Sequence, residues 1–248
     1  MAKLNPQQQQ AVKTIDRPLL VLAGAGSGKT RVITEKIAYL VQQGTAARHI
    51  AALTFTNKAA REMKERVSKL LDDKQGKGLR VSTFHSLGLD ILRKEHKALG
   101  YKAGLTLFDE QDKLTLLRNL ISHGSSDWDI DAVDYYNNQI GTWKNAFITP
   151  EQAISTANDE THLIALLYAD FNRNLKAYNA IDFDDLILLP VLLFQKNPQV
   201  LEKWQNKIRY LLVDEYQDTN ITQYELVRLL AGNLGRFTVV GDDDQSIY

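Results

Sequence analysis

The chain has 248 residues, 44% of them apolar, enough to bury a core as one large domain or two small ones. It contains no cysteine, which excludes disulfides, zinc fingers and thiol catalysis; no apolar run reaches the roughly 20 residues of a membrane span, and MAKLNPQQQQ lacks the layout of a secretory signal, so a cytoplasmic protein is expected. Lys plus Arg and Asp plus Glu stand at 30 each, but residues 48–102 hold thirteen Lys/Arg against six Asp/Glu, an excess of seven that either faces phosphates or coats a solvated helix.

In chain order, the run PLLVLA (18–23) predicts a buried strand, and the spacing of Val32, Ile33, Ile37, Leu40 and Val41 predicts a helix over 30–41. IAALTF (50–55) predicts a second strand. Asn57 can cap a helix through Leu71, with Ala60, Met63, Val67 and Leu70 on one face, and 79–83 predicts a third strand. Strand and helix alternate here as in a mostly parallel sheet covered on both faces. From about 87 to 206 helical periodicity takes over, most clearly at 87–99, 109–122, 161–178 and 184–195, the last with Pro190 as an expected kink. Strands return at 208–213 and 237–240, with a helix at about 222–230 between them. The expected fold is therefore one α/β domain with a parallel sheet (1–86 and 207–248), interrupted by an all-helical insertion subdomain (87–206).

AGAGSGKT (Ala23, Gly24, Ala25, Gly26, Ser27, Gly28, Lys29, Thr30) follows a strand and opens a helix, as a phosphate-binding loop requires. Glycines at 24, 26 and 28 let the backbone turn its N–H groups inward, while the helix N-terminus adds positive field. Lys29 would reach the outer phosphates and Thr30 would offer its hydroxyl to Mg²⁺. Ala23 stands where the usual pattern has glycine, at a position that shapes the turn.

Kinases, GTPases and motor ATPases share such a loop. LLVDEYQDT (211–219) narrows the choice, because four apolar residues end in adjacent carboxylates at the C-terminal edge of a strand, where open α/β sheets bind ligands. Asp214 would hold Mg²⁺, and Glu215 would orient and deprotonate an attacking water. That pair favours hydrolysis over transfer to an acceptor hydroxyl. FTVVGDDDQ repeats the strand-then-polar-loop layout and places Gln245 to touch a terminal phosphate or the water, with the roles of Asp242 to Asp244 not separable. Tyr248 either stacks on something flat or is a core aromatic.

LNPQQQQAV, AGAGSGKTRV, LTFTNKAAREM, STFHSLG, DFDDL, LLVDEYQDTN and VVGDDDQSIY occur in the order seen in superfamily 1 DNA helicases of the UvrD/Rep/PcrA group, which the whole chain resembles. The resemblance implies a first RecA-like P-loop domain (1A) with its helical insertion (1B), ATP and Mg²⁺ as ligands, and single-stranded DNA and its junctions with duplex as partner. It implies that Gln8 reads the adenine edge and Arg31 lies against the base. Phe55, Thr56, Asn57 and Lys58 would form a turn gripping single-stranded DNA, with Thr83, Phe84 and His85 as a second such turn. Phe183 and Tyr248 match aromatic positions that stack on bases. Phe55 and Phe84 also fit a core, and His85 a hydrogen-bonded structural histidine. In that group a Trp- and Arg-bearing stretch and a second RecA-like domain follow DDDQSIY, and arginines of that domain complete the ATP site. The sequence thus reads as the front portion of a longer 3′-to-5′ helicase, monomeric and largely inactive alone. A nucleotide-gated binding module without motor activity is the alternative, and a metabolite kinase a more distant one.

Overall fold

A computed structural model describes residues 4–24, 26–124, 129–232 and 235–242. The first helix, α1 (Pro6–Lys13), starts on a reciprocal cap: the Asn5 side chain accepts from the Gln8 amide, and the Gln8 side chain accepts from that of Asn5. Strand β1 (Leu19–Leu22) then leads through the glycine loop into α2 (Lys29–Gln42). Strand β2 (Ile50–Thr54), helix α3 (Asn57–Ser68), strand β3 (Arg80–Thr83) and helix α4 (Phe84–Glu95) follow. Next come β4 (Thr106–Leu107), α5 (Glu110–His123), α6 (Val133–Asn145), α7 (Pro150–Thr156), α8 (His162–Ala177), β5 (Ala180–Ile181) and α9 (Asp185–Lys196). The described chain closes with α10 (Pro198–Lys207), β6 (Tyr210–Val213), α11 (Ile221–Ala231) and β7 (Phe237–Gly241).

Among the described residues, Gly88–Lys196 and Asn220–Gln223 make one compact unit and the remainder makes another. Helix α10, which the sequence reading placed in the insertion, falls in the sheet-bearing unit. Conversely, the region read as all-helical contains a two-residue parallel ladder, Thr106–Leu107 against Ala180–Ile181.

The sheet-bearing unit has five parallel strands in the order β1-β7-β6-β2-β3. Ile50, Ala52, Tyr210, Leu212 and Val240 pack with Ile33, Ile37 and Leu40 of α2 and Met63 and Val67 of α3. The alternate residues Ala51, Leu53, Leu211, Val213 and Val239 point to the other face and are also buried. Burial on both faces is why these strands read as continuous apolar runs.

Helix α1 has little apolar surface of its own, since Val12 is its one buried residue. Lys36, on α2 and fully buried, holds its far end: Nζ donates to the carbonyl oxygens of Ala11 (2.9 Å) and Thr14, with the Tyr210 ring 5.7 Å away. Desolvation on burial, opposed by the charge of Asp16, pushes the Lys36 ammonium down to about 7. Above that value the folded chain has shed a proton that the unfolded chain keeps up to the ordinary lysine range. Stability from this group therefore rises as pH climbs from about 7 towards 10. Thermal unfolding of the wild type and Lys36→Met across pH 6.5–9.5 should show a wild-type gain that the variant lacks; parallel curves would contradict the assignment.

The helical unit has its own core. Leu117 of α5, Ile140 and Trp143 of α6, and Ala165, Tyr168 and Phe171 of α8 are buried together, with the Trp143 and Tyr168 rings stacked at 6.0 Å. No helix among the described residues is long and apolar enough to cross a membrane.

A candidate nucleotide site at the strand ends

The loop after β1 turns through left-handed backbone at Gly26 (φ 73°) and Gly28 (φ 84°), a conformation that disfavours any side chain. A Cβ on Gly24 or Gly26 would meet nothing within 4 Å; on Gly28 it would press on Gln8 Nε2 at 3.1 Å. Ala23 N donates to Gly241 O (3.1 Å) and Ser27 N to Gly24 O (3.2 Å), which ties the loop to β7 and to itself.

Pairing of β1 with β7 and of β7 with β6 brings the loop beside residues about 200 positions later. The Lys29 ammonium, 8% exposed, lies 3.3 Å from Asp242 Oδ2 and 3.7 Å from Glu215 Oε2. Thr30 Oγ1 donates to Asp214 Oδ2 at 3.0 Å, while Asp214 Oδ1 accepts from the Glu215 amide. Asp214 is 3% exposed, and its burial pushes its carboxyl above the usual range against the Thr30 hydrogen bond, which holds it down.

Glu215 sits at φ 52°, left-handed backbone that costs a non-glycine residue about 1–3 kcal/mol unless its surroundings enforce it. The enforcement is visible. Asp218 N donates to Glu215 O, and Gln217 Nε2 donates to Glu215 Oε2 at 2.8 Å. Gln217 Oε1 accepts from Asp242 N at 3.0 Å, so one amide ties the β6 loop to the β7 loop. Sequence reading assigned Gln217 no role although it lies inside VDEYQDT; amide side chains that bridge two loops leave no periodic mark. Of the three aspartates 242 to 244, Asp242 lies among the described residues and pairs with Lys29.

The remaining expected site residues divide. Gln8 Nε2 donates to Ser27 O at 2.9 Å, so Gln8 does reach the loop, with its Oε1 occupied by the cap of α1. Arg31 pairs with Glu35 at 3.8 Å one turn along α2. Thr56 caps α3 by accepting from Ala59 N, and Asn57 and Lys58 are exposed in its first turn. Phe55 is half-buried and packs on Phe84 at 5.4 Å. Phe84, which fitted either the second turn or a core, is 1% exposed, and its ring belongs to the core. Thr83 is buried too, its hydroxyl spent on capping α4 at Ser86, and burial pushes half-buried His85 below the usual histidine range. In the helical unit Phe183 is 53% exposed. Ala25, Gln245 and Tyr248 lie outside the described residues, as do Asp243 and Asp244.

A cavity of about 820 Å³ is lined by Thr30, Asp214, Glu215 and Gln217 on one side and by Thr54, Phe55, Thr56 and Arg66 on another. Residues of the turn expected to grip DNA (Phe55, Thr56), the carboxylate expected to hold metal (Asp214) and the one expected to activate water (Glu215) thus line one space.

Residues 4–248 match the model of the UvrD/REP helicase N-terminal domain. The chain belongs to this family. It is 58% identical over 248 residues to the ATP-dependent DNA helicase Rep of Escherichia coli strain K12. It is 47% identical over 247 residues to Rep of Buchnera aphidicola subsp. Acyrthosiphon pisum, and 44% identical over 247 residues to the ATP-dependent DNA helicase PcrA of Staphylococcus aureus strain Mu50. Each alignment takes in 99% of this chain but only 37%, 38% and 34% of those proteins. The chain therefore spans little more than a third of the length of its helicase relatives. Membership makes the parallel sheet that of a RecA-like helicase domain.

Proposed function

We propose that this chain is the ATP-hydrolysing portion of a 3′-to-5′ DNA helicase that couples Mg-ATP turnover to movement on single-stranded DNA. The observation that supports it best is the meeting of Lys29 with Glu215 and Asp242, and of Thr30 with Asp214, from opposite ends of the sequence.

The donor set suits the ligands. A hydroxyl and a carboxylate 3.0 Å apart are the hard oxygens that Mg²⁺ takes from protein, leaving its other positions to water and phosphate. When bound, the ion neutralises charge on the phosphates as the terminal bond breaks. The chain's own groups do the rest. Lys29 exchanges its carboxylate partners for phosphate oxygens, and the N–H groups at the start of α2 face the same anion. Glu215, held by Gln217, accepts the proton of the attacking water. Gln8 and Arg31 flank the loop where the base would lie. On another wall of the shared cavity, the cap of α3 offers backbone N–H groups and Arg66 a cation to a DNA phosphate, with Lys58 exposed in the first turn of the same helix.

The test is binding of a fluorescent ATP analogue with and without Mg²⁺, together with phosphate release with and without single-stranded DNA. We expect Mg²⁺-dependent binding that Lys29→Ala weakens by at least about tenfold, the loss of one charge-assisted contact, and slow release. Binding indifferent to both Mg²⁺ and Lys29 would overturn the proposal. DNA affinity that responds to nucleotide while no phosphate is released, even in a chain as long as the relatives, would favour a nucleotide-gated binding module.

A further inference from the structure

The helical unit buries a cluster of charges that the nucleotide site does not use. Lys144 of α6 is 1% exposed, Asp182 0% and Asp185 4%, while Phe183 between the two aspartates is 53% exposed. The bonds form a closed set. Asp182 Oδ1 accepts from Asp185 N (2.9 Å), and Asp185 Oδ2 accepts from Asp182 N (3.2 Å), a reciprocal cap at the start of α9. The other oxygen of each, Asp182 Oδ2 and Asp185 Oδ1, accepts from Lys144 Nζ at 2.8 Å. All four carboxylate oxygens are thereby engaged around one ammonium. Lys113 of α5 adds ion pairs to Asp182 (3.8 Å) and Asp184 (3.7 Å), and Asn145 donates to Asp184 Oδ1 (3.1 Å).

As a stabilising device this cluster is a poor choice, because desolvating buried ions costs about as much as their attraction returns, and well-packed apolar residues do as well or better. What it does provide is direction. Residues 182–185 are pinned at both ends and from beneath, so the one side chain of the four that is apolar is forced outward.

We propose that Lys144 is a positioning residue, which locks the turn 182–185 so that the exposed Phe183 ring is held ready to stack on a base of single-stranded DNA. The proposal rests on the reading of Phe183 as a base-stacking residue. Ordering that turn before DNA arrives removes an entropic cost from binding, so Lys144 acts on affinity without touching the nucleic acid.

The experiment compares fluorescence-anisotropy titrations of labelled oligothymidylate for the wild type, Phe183→Ala, Lys144→Met, Asp185→Asn, and each of the last two combined with Phe183→Ala. Phe183→Ala should weaken binding by about 5- to 150-fold, the worth of stacking one base. Lys144→Met and Asp185→Asn should each weaken it at least about threefold and add nothing in the Phe183→Ala background, as expected of residues that work through one ring. Binding of the ATP analogue should stay at its wild-type level in every variant. Asp185→Asn keeps the shape of the side chain and carries the test if Lys144→Met does not fold. Losses that persist in full without the Phe183 ring, or single variants that bind as the wild type does, overturn the role of Lys144. A Phe183→Ala protein with undiminished affinity overturns the underlying reading of Phe183 instead.

Discussion

Replacing Glu215 with glutamine is expected to slow phosphate release about 10²- to 10⁴-fold, the usual worth of a positioned general base, while nucleotide affinity is kept or improved. Glutamine preserves the length of the side chain and an oxygen for Gln217 Nε2 to bond. It loses the negative charge that lies 3.7 Å from Lys29 Nζ, where it competes with phosphate, and Lys29 retains Asp242 at 3.3 Å. Binding and chemistry should therefore separate. Single-turnover hydrolysis with saturating nucleotide and single-stranded DNA, beside an equilibrium titration of the ATP analogue, measures both. A matched loss in the two would mean that Glu215 serves the shape of the loop rather than the proton.

Gly88→Ala should damage the helical unit by a different route. A Cβ there would lie 1.7 Å from the carbonyl oxygen of Leu186 and 2.8 Å from its carbonyl carbon, so α4 and α9 touch backbone to backbone. No flexible side chain can give way. The helices must separate, at a cost of about 3 kcal/mol or more, above the usual range for overpacking. For a chain of this size that lowers the melting midpoint by about 6–12 °C. Circular dichroism during heating reads the change, and an unaltered midpoint would contradict a backbone contact between these helices. The glycine in STFHSLG is thus explained by packing, with no part in binding.

How much of this could be read from the residues alone depended on what kind of signal each feature leaves. Strands β2, β6 and β7 are short apolar runs, legible because both their faces are buried, whereas β1, expected to be buried, leaves Leu20 and Leu22 exposed and is legible only as the run before the glycine loop. The glycine loop and the carboxylate pair announce themselves through spacing. Helix α1 does not, since PQQQQAVK buries only Val12 and is held by its cap and by Lys36 from another helix. Helix α6 hides for a related reason: Asn137 and Lys144 are among its five buried residues, so its inner face reads as polar. Lysine is taken for a surface residue by default, and nothing local shows that Lys144 finds its two aspartates 38 and 41 positions on. The motif STFHS marks a backbone turn and says nothing of where its side chains go; those of Phe84 and Thr83 point inward, to the core and to the cap.

Strands β7 and β6 occupy the second and third positions of the sheet, between β1 and β2, yet they are made more than 150 residues after β2. At about 5–20 residues per second, β2 pairs with β3 early but waits roughly 8–30 s after its synthesis for β6, while residues 88–196 of the helical unit are made in between. A nascent chain in that interval carries LLVL unpaired and IAALT with the edge meant for β6 open, and those two stretches are where a chaperone would be expected to hold it.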